Sequence, residues 1–201
     1  MHPLSIEGAW SQEPVIHSDH RGRSHEWFRG ESFRQAFGHD FPVAQVNVAV
    51  SHRGALRGIN YTEIPPGQAK YSVCVRGAGL DVVVDVRIGS PTFGRWEIVP
   101  MDAERNTAVY LTAGLGRAFL SLTDDATLVF LCSSGYAPAR EHSVNPLDPD
   151  LGIAWPDDIE PLLSDRDENA PTLATAERLG LLPTYQAWQE QQQAQRLEHH
   201  H

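Results

Sequence analysis

The spacing of turns constrains this chain more than any other feature. Between residues 43 and 133, runs rich in β-branched and aromatic residues recur at 43–51, 56–63, 69–76, 80–87, 95–101, 108–112, 117–122 and 127–133. Turn-forming residues separate them: Arg53-Gly54, Pro65-Pro66-Gly67, Gly77-Ala78-Gly79, Gly89-Ser90-Pro91, Gly94, Gly114 and Asp124-Asp125. Many short strands with turns at roughly 8–12-residue intervals build a β-sandwich or barrel. Val82, Val84 and Val86 alternate with Asp81, Asp85 and Arg87, the period of a sheet with one buried face. Helices are expected only outside this block: a short one at 31–37 stopped by Gly38, and two at 172–182 and 184–196 divided by Pro183. Residues 1–22 read as loop with a turn at 19–22, residues 26–28 as a short strand, and the Pro- and Asp-rich 137–171 as long ordered loops.

The length suits a single domain over 1–196, with a helical C-terminal appendage over about 172–196. The final Leu-Glu-His-His-His (197–201) reads as the remnant of an affinity tag. An apolar content of 41% supports a real core. No apolar run approaches the ~18 residues of a membrane span, and no signal peptide is visible. Cys74 and Cys132 lie in strand-like runs and read as buried, reduced thiols, so a cytoplasmic protein is expected. The net charge of −10 argues against a nucleic-acid surface. It leaves room for a small anionic ligand held by a few local cations. His2, His17, His20, His25, His39, His52 and His142 show no His-x-His or His-x3-His spacing, so no metal site is expected.

The stretch 55–72 reads as strand, turn, strand and carries Arg57, Asn60, Gln68 and Lys70. Such a set fits either a solvated sheet face or the lining of an anion pocket, where arginine offers a planar fork and lysine a point charge. Of 16 Lys plus Arg, Lys70 is the only lysine. An ammonium retained in an otherwise all-arginine chain points toward the pocket.

Several separated motifs, in order across roughly residues 15–170, resemble those of the dTDP-4-keto-6-deoxyhexose 3,5-epimerase family. They are Asp19-x-Arg21-Gly22, Gln45-x-Asn47, Leu56-Arg57-Gly58-x-x-Tyr61, Gln68-x-Lys70, Asp85-x-Arg87-x-Gly89-Ser-Pro-Thr-Phe-Gly94, Gly114-x-x-x-x-Phe119, Tyr136-x-Pro138-x-x-Glu141, Ile153-x-Trp155-Pro156 and Leu163-Ser-x-x-Asp167. The segments around Gly58 and Lys70 look most like the antibiotic-sugar members. The resemblance implies a cupin-type jelly roll with a short N-terminal helix and C-terminal helices, a homodimer, no metal and no cofactor. It implies a dTDP-linked 4-keto-6-deoxyhexose (or dTDP) as ligand, and epimerisation at C3 by proton exchange beside the ketone. In the family a histidine oriented by an aspartate removes the proton, a lysine steadies the enolate oxygen, and a tyrosine on the other face returns a proton.

Carried over by position, Lys70 matches the enolate-stabilising lysine and Asp167 the orienting aspartate. Arg21, Glu26, Gln45, Asn47, Arg57 and Tyr136 match residues that hold the nucleotide and diphosphate, with the Arg21 segment reaching the partner subunit's pocket. Three positions depart. Asn60 stands at the histidine position, Phe130 at the tyrosine position, and Arg117 where the family has a further histidine. An amide is no base near neutral pH and a phenyl ring has no proton to give, whereas Arg117 can still hold a phosphate oxygen. Both proton-transfer replacements are near-isosteric, which favours an engineered, impaired 3-epimerase over a natural non-catalytic relative. The alternatives are a 3,5-double epimerase and a nucleotide-sugar-binding cupin without chemistry.

Overall fold

A computed structural model describes residues 1–198; the last three residues of the tag-like segment lie outside the described residues. The elements are β1 (His2–Pro3), β2 (Ala9–Gln12), β3 (Ile16–Asp19), β4 (Gly22–His25), α1 (Gly30–Phe37), β5 (Gln45–Ser51), β6 (Leu56–Thr62), β7 (Lys70–Arg76), β8 (Ala78–Val84), β9 (Trp96–Asp102), β10 (Ala108–Leu111), β11 (Gly116–Ser121), β12 (Ala126–Cys132), β13 (Glu141–Ser143), α2 (Asp165–Glu168), α3 (Leu173–Arg178) and α4 (Tyr185–Glu198). One sheet has the order β1-β2-β10-β7-β12-β5 and the other β13-β6-β11-β8-β9. All pairings within them are antiparallel. This is the mainly-β, cupin-type jelly roll that the motifs imply. The eight strand runs all form, with ends shifted by a few residues.

Alternation along the strands sorts side chains into three apolar layers. Between the sheets lie Cys74, Val83, Val99, Met101, Phe119 and Leu128. On the outer face of the second sheet, Ile59, Val82, Val84 and Leu120 are covered by Val144, Ile153, Leu173 and Ala176 from the later loops and α3. On the outer face of the first sheet, Tyr71 and Tyr110 are covered by Phe33 and Phe41, with Trp27 and Phe28 packed alongside.

Four local expectations need correcting. Residues 1–22 are not loop: β2 pairs with β10 in the first sheet, and β3 pairs with β4. Four-residue strands are too short to show a period. Residues 26–28 form no strand; Trp27 and Phe28 serve as aromatic packing against Tyr71 instead. Within 137–171, β13 adds to β6, and α2 starts at a Ser164 cap. The polar half of residues 80–87 does not face water. Asp81, Asp85 and Arg87 are all fully buried, because both faces of this sheet are covered.

Arg87 holds the C-terminal segment to the sandwich. Its guanidinium donates to both Asp85 carboxylate oxygens (2.8 and 2.9 Å) and to the Glu7 carbonyl (2.8 Å). It lies 4.4 Å from the Trp188 ring and 5.3 Å from that of Tyr185, both on α4. Trp188 Nε1 donates to Thr112 Oγ1 at 2.9 Å. A polar helix of 14 residues is marginal alone. Its order here comes from this docking.

Candidate active site

Register aligns the sequence-predicted residues on the inner face of the first sheet. Cys132 of β12 stands opposite Lys70 of β7 and Gln45 of β5, making one cross-strand row. Phe130 stands opposite Ser72 and Asn47, making the next. With a side-chain period of two, both rows point the same way. Hydrogen bonds extend the first row outward. Gln45 Nε2 donates to Asn47 Oδ1 (2.8 Å), and Gln45 Oε1 accepts from the Tyr136 N–H (2.8 Å). The Tyr136 side chain itself is exposed.

The second sheet supplies the opposite wall. Arg117 of β11 pairs with Asn60 of β6 and Phe119 with Arg57, with an irregularity between them. Gly58 sits in that irregularity at φ 101°, a conformation open mainly to glycine. A Cβ there would fall 2.3 Å from the Arg117 carbonyl oxygen. Gly58→Ala should therefore displace Asn60 from Arg117 and lower thermal stability, with the loss of Tm read by calorimetry.

Asn60, Gln68, Lys70 and Arg117 line one cavity together with Thr62, Thr112 and Leu115. Arg117 Nε donates to the buried Asp81 at 2.7 Å, and its guanidinium lies 5.7 Å from the Phe130 ring. Among the described residues, Arg117 Nη2 has no protein hydrogen-bond partner. Burial pushes the Lys70 ammonium below the ordinary lysine range; Glu141 opposes that and Arg117 adds to it. Burial also pushes the Asp81 carboxyl up, against the pull of Arg117 and Lys70. Two cations aimed into one cavity can hold an oxyanion. Neither Asn60 nor Phe130 beside them can move a proton.

Asp167 lies behind this wall. A run such as Ser-Asp-Arg-Asp is ordinarily solvated, yet Asp167 is buried, because the Ser164 cap starts α2 and turns it inward. Its Oδ2 accepts the Gly58 N–H at 3.1 Å, and it lines a cleft with Arg57, Asn60 and Arg166. Asn60 Oδ1 accepts from Ser143 Oγ at 2.6 Å. Arg57 donates to Ser51 Oγ (3.0 Å) and to the Val50 carbonyl (3.2 Å), at the rim. Arg21 and Glu26 are not brought to this cavity. Arg21 is paired with Asp19 at the tip of the β3–β4 hairpin, and Glu26 with Arg29. Sequence reading gave no role to Asp81, Ser143 or Glu141, although Glu141 stands in a quoted motif.

The description dTDP-4-dehydrorhamnose 3,5-epimerase matches residues 3–175. This chain belongs to that family. It is 99% identical over 196 residues (98% of this chain, 100% of the relative) to a dTDP-4-dehydro-6-deoxyglucose 3-epimerase of Streptomyces bikiniensis. It is 55% identical over 186 residues to a dTDP-4-dehydrorhamnose 3,5-epimerase of Streptomyces griseus, with 92% of each chain covered. Among solved structures it matches a 3'-monoepimerase from Streptomyces bikiniensis in complex with dTDP-quinovose, with a TM-score of 0.97, 99% identity and coverage of 98% of this chain and 100% of that one. A rmlC epimerase of Mycobacterium tuberculosis superposes with a TM-score of 0.94 at 44% identity, covering 97% and 98%. Among the described residues, no group of three or more His, Cys, Asp or Glu is placed to hold a metal ion.

Proposed function

We propose that this chain is a C3 epimerase scaffold for a dTDP-linked 4-keto-6-deoxyglucose, of the antibiotic deoxysugar type, with both proton-transfer groups replaced. The observation that carries this reading is the 99% identity over 196 residues to a 3-epimerase. One per cent of that length is about two positions, the number that replacement of both groups requires. In the intact reaction a base removes the C3 proton, and the C–H electron pair becomes the enolate double bond. The charge then rests on the C4 oxygen, held by Lys70, and return of a proton to the opposite face inverts C3. Asp167 orients the base, and Arg57, Arg117, Gln45, Asn47 and Tyr136 hold the nucleotide and diphosphate. Here Asn60 and Phe130 leave the holding without the transfer. Calorimetric titration with dTDP should show binding, while ¹H NMR of the keto-sugar in D₂O should show almost no C3 exchange. Rapid exchange by this chain, or failure to bind dTDP, overturns the reading.

The working form is a homodimer in the cytoplasm. Val46, Val48 and Val50 point outward from edge strand β5 and are 54%, 64% and 56% exposed, an apolar stripe that a second copy would cover. Arg21 and Glu26, which are not brought to their own cavity, then serve the neighbour's. Light scattering should give twice the chain mass, and Val48→Glu should return it to the mass of one chain. Cys74 and Cys132, both buried and free, fit a reducing compartment.

A further inference from the structure

Two connecting segments border the Lys70 cavity: the turn at 64–67, which leads into Gln68 and Lys70, and the loop after β10, which carries Thr112 and Leu115. They are pressed together. A Cβ on Gly67 would fall 2.4 Å from Ala113 Cβ, and one on Gly114 would fall 2.4 Å from Ile64 Cδ1. Pro65 and Pro66 have no N–H, so at those positions the turn can be pinned only by its carbonyls. The Pro66 carbonyl accepts from Gln191 Nε2 of α4. Three residues earlier on the same helix face, Trp188 Nε1 donates to Thr112 Oγ1 at 2.9 Å. Thr112 Oγ1 in turn donates to the Gly8 carbonyl at 3.1 Å. One face of α4 therefore touches both segments. Gln191 Oε1 is buried and, among the described residues, has no hydrogen-bond partner. The amide is committed to the turn and leaves its oxygen unpaired, an arrangement that stability alone does not favour.

We propose that α4 backs the Lys70 cavity and that Gln191 is a positioning residue: by holding the Pro66 carbonyl, it fixes the turn from which Gln68 and Lys70 enter the site. The sandwich holds the other side of this segment. The Gln68 N–H donates to Thr62 Oγ1 (2.9 Å), its side chain donates to the Ser134 carbonyl (2.8 Å), and the Ala69 N–H donates to Ser133 Oγ (2.8 Å). A lysine that steadies an enolate acts on charge that develops during the reaction, so its displacement should cost turnover rather than nucleotide binding. The link to turnover rests on the epimerase reading; the anchoring of the turn does not.

The first readout needs no turnover. Hydrogen exchange at the Gln68 and Ala69 amides, followed by NMR in the chain as it stands, should quicken by about 3–10-fold in Gln191→Met, the opening that loss of one neutral hydrogen bond allows. Tm should hold, because methionine keeps the side-chain length and removes the unpaired oxygen. In a protein with Asn60→His and Phe130→Tyr, Gln191→Met should lower kcat for C3 exchange by about 10-fold, within the ~10²-fold that a shift of about 1 Å costs. KM should stay in place. Gln191→Glu keeps the shape but turns a carboxylate on a carbonyl; it should lose at least as much, and it carries the test if methionine is not tolerated. Gln191→Lys restores a donor and should recover most of both effects. Gln186→Met, at an exposed position bonded to Glu190 of the same helix, should change neither. Amide exchange unmoved by Gln191→Met and Gln191→Glu, or moved equally by Gln186→Met, overturns the proposal. So does an intact kcat in the restored protein, whatever happens to Tm or to the amides. Faster amide exchange with no C3 exchange in any variant or in the restored protein itself would retain the anchoring and sink the epimerase reading alone.

Discussion

Asn60→His combined with Phe130→Tyr should raise C3 exchange in D₂O by at least about 10²–10⁴-fold, the contribution of one general acid–base group. The effects of the two groups need not multiply, because residues that act as a unit are not additive. The single variants separate the roles. Asn60→His alone supplies a base beside Lys70, backed by Asp167 and Ser143, and should incorporate deuterium at C3 without inverting it. Phe130→Tyr alone supplies an acid with no enolate to quench and should do nothing. Inversion should need both. The same NMR spectra report C5. Exchange there as well would make the restored enzyme a double epimerase, and no exchange at either carbon despite dTDP binding would make it a binding protein on an epimerase fold.

Arg87→Met should destabilise the fold by about 3–5 kcal/mol, because it leaves the buried Asp85 carboxylate without its cation. It also removes the partner of the Tyr185 and Trp188 rings, so α4 should loosen, and Trp188 fluorescence should shift to the red in denaturant titrations. The pH dependence has a definite sign. Burial pushes the Asp85 carboxyl up, but the bonds from Arg87, Ser90 and Thr92 outweigh it and bring its pKa below the ordinary value. Such a group contributes stability above the unfolded pKa of about 3.9, lost as pH falls through the folded value. Arg87→Met should therefore move the acid-unfolding midpoint to higher pH. The helix also reaches the site, since Gln191 donates to the Pro66 carbonyl in the turn that leads to Lys70. Unchanged stability in Arg87→Met would show that the buried pair is not what holds this end of the molecule.

The site was only partly legible in the residues. Lys70 stood out because no other lysine exists, and Asn60 and Phe130 because they stand where the family resemblance implies proton-transfer groups. Asp167 would pass for a solvated charge without those motifs. Asp81 looked like the polar half of an amphipathic strand. Its burial follows from a second sheet and later loops that no local period announces.

The sequence by itself determined the strand rhythm, the turns between strands, the short helix ended by Gly38 and the absence of proton-transfer chemistry at two positions. These depend on side-chain period, backbone freedom and functional-group identity, all local properties. Only the tertiary structure decided that β12 sets Cys132 between Lys70 and Gln45, that Gly58 lets Asn60 meet Arg117, and that an ion pair of Arg166 with Glu141 joins the helix carrying Asp167 to β13. Those relations depend on register between strands distant in the chain and on which face a covering loop buries. A polar residue in a strand carries no mark of whether water or another sheet will lie against it.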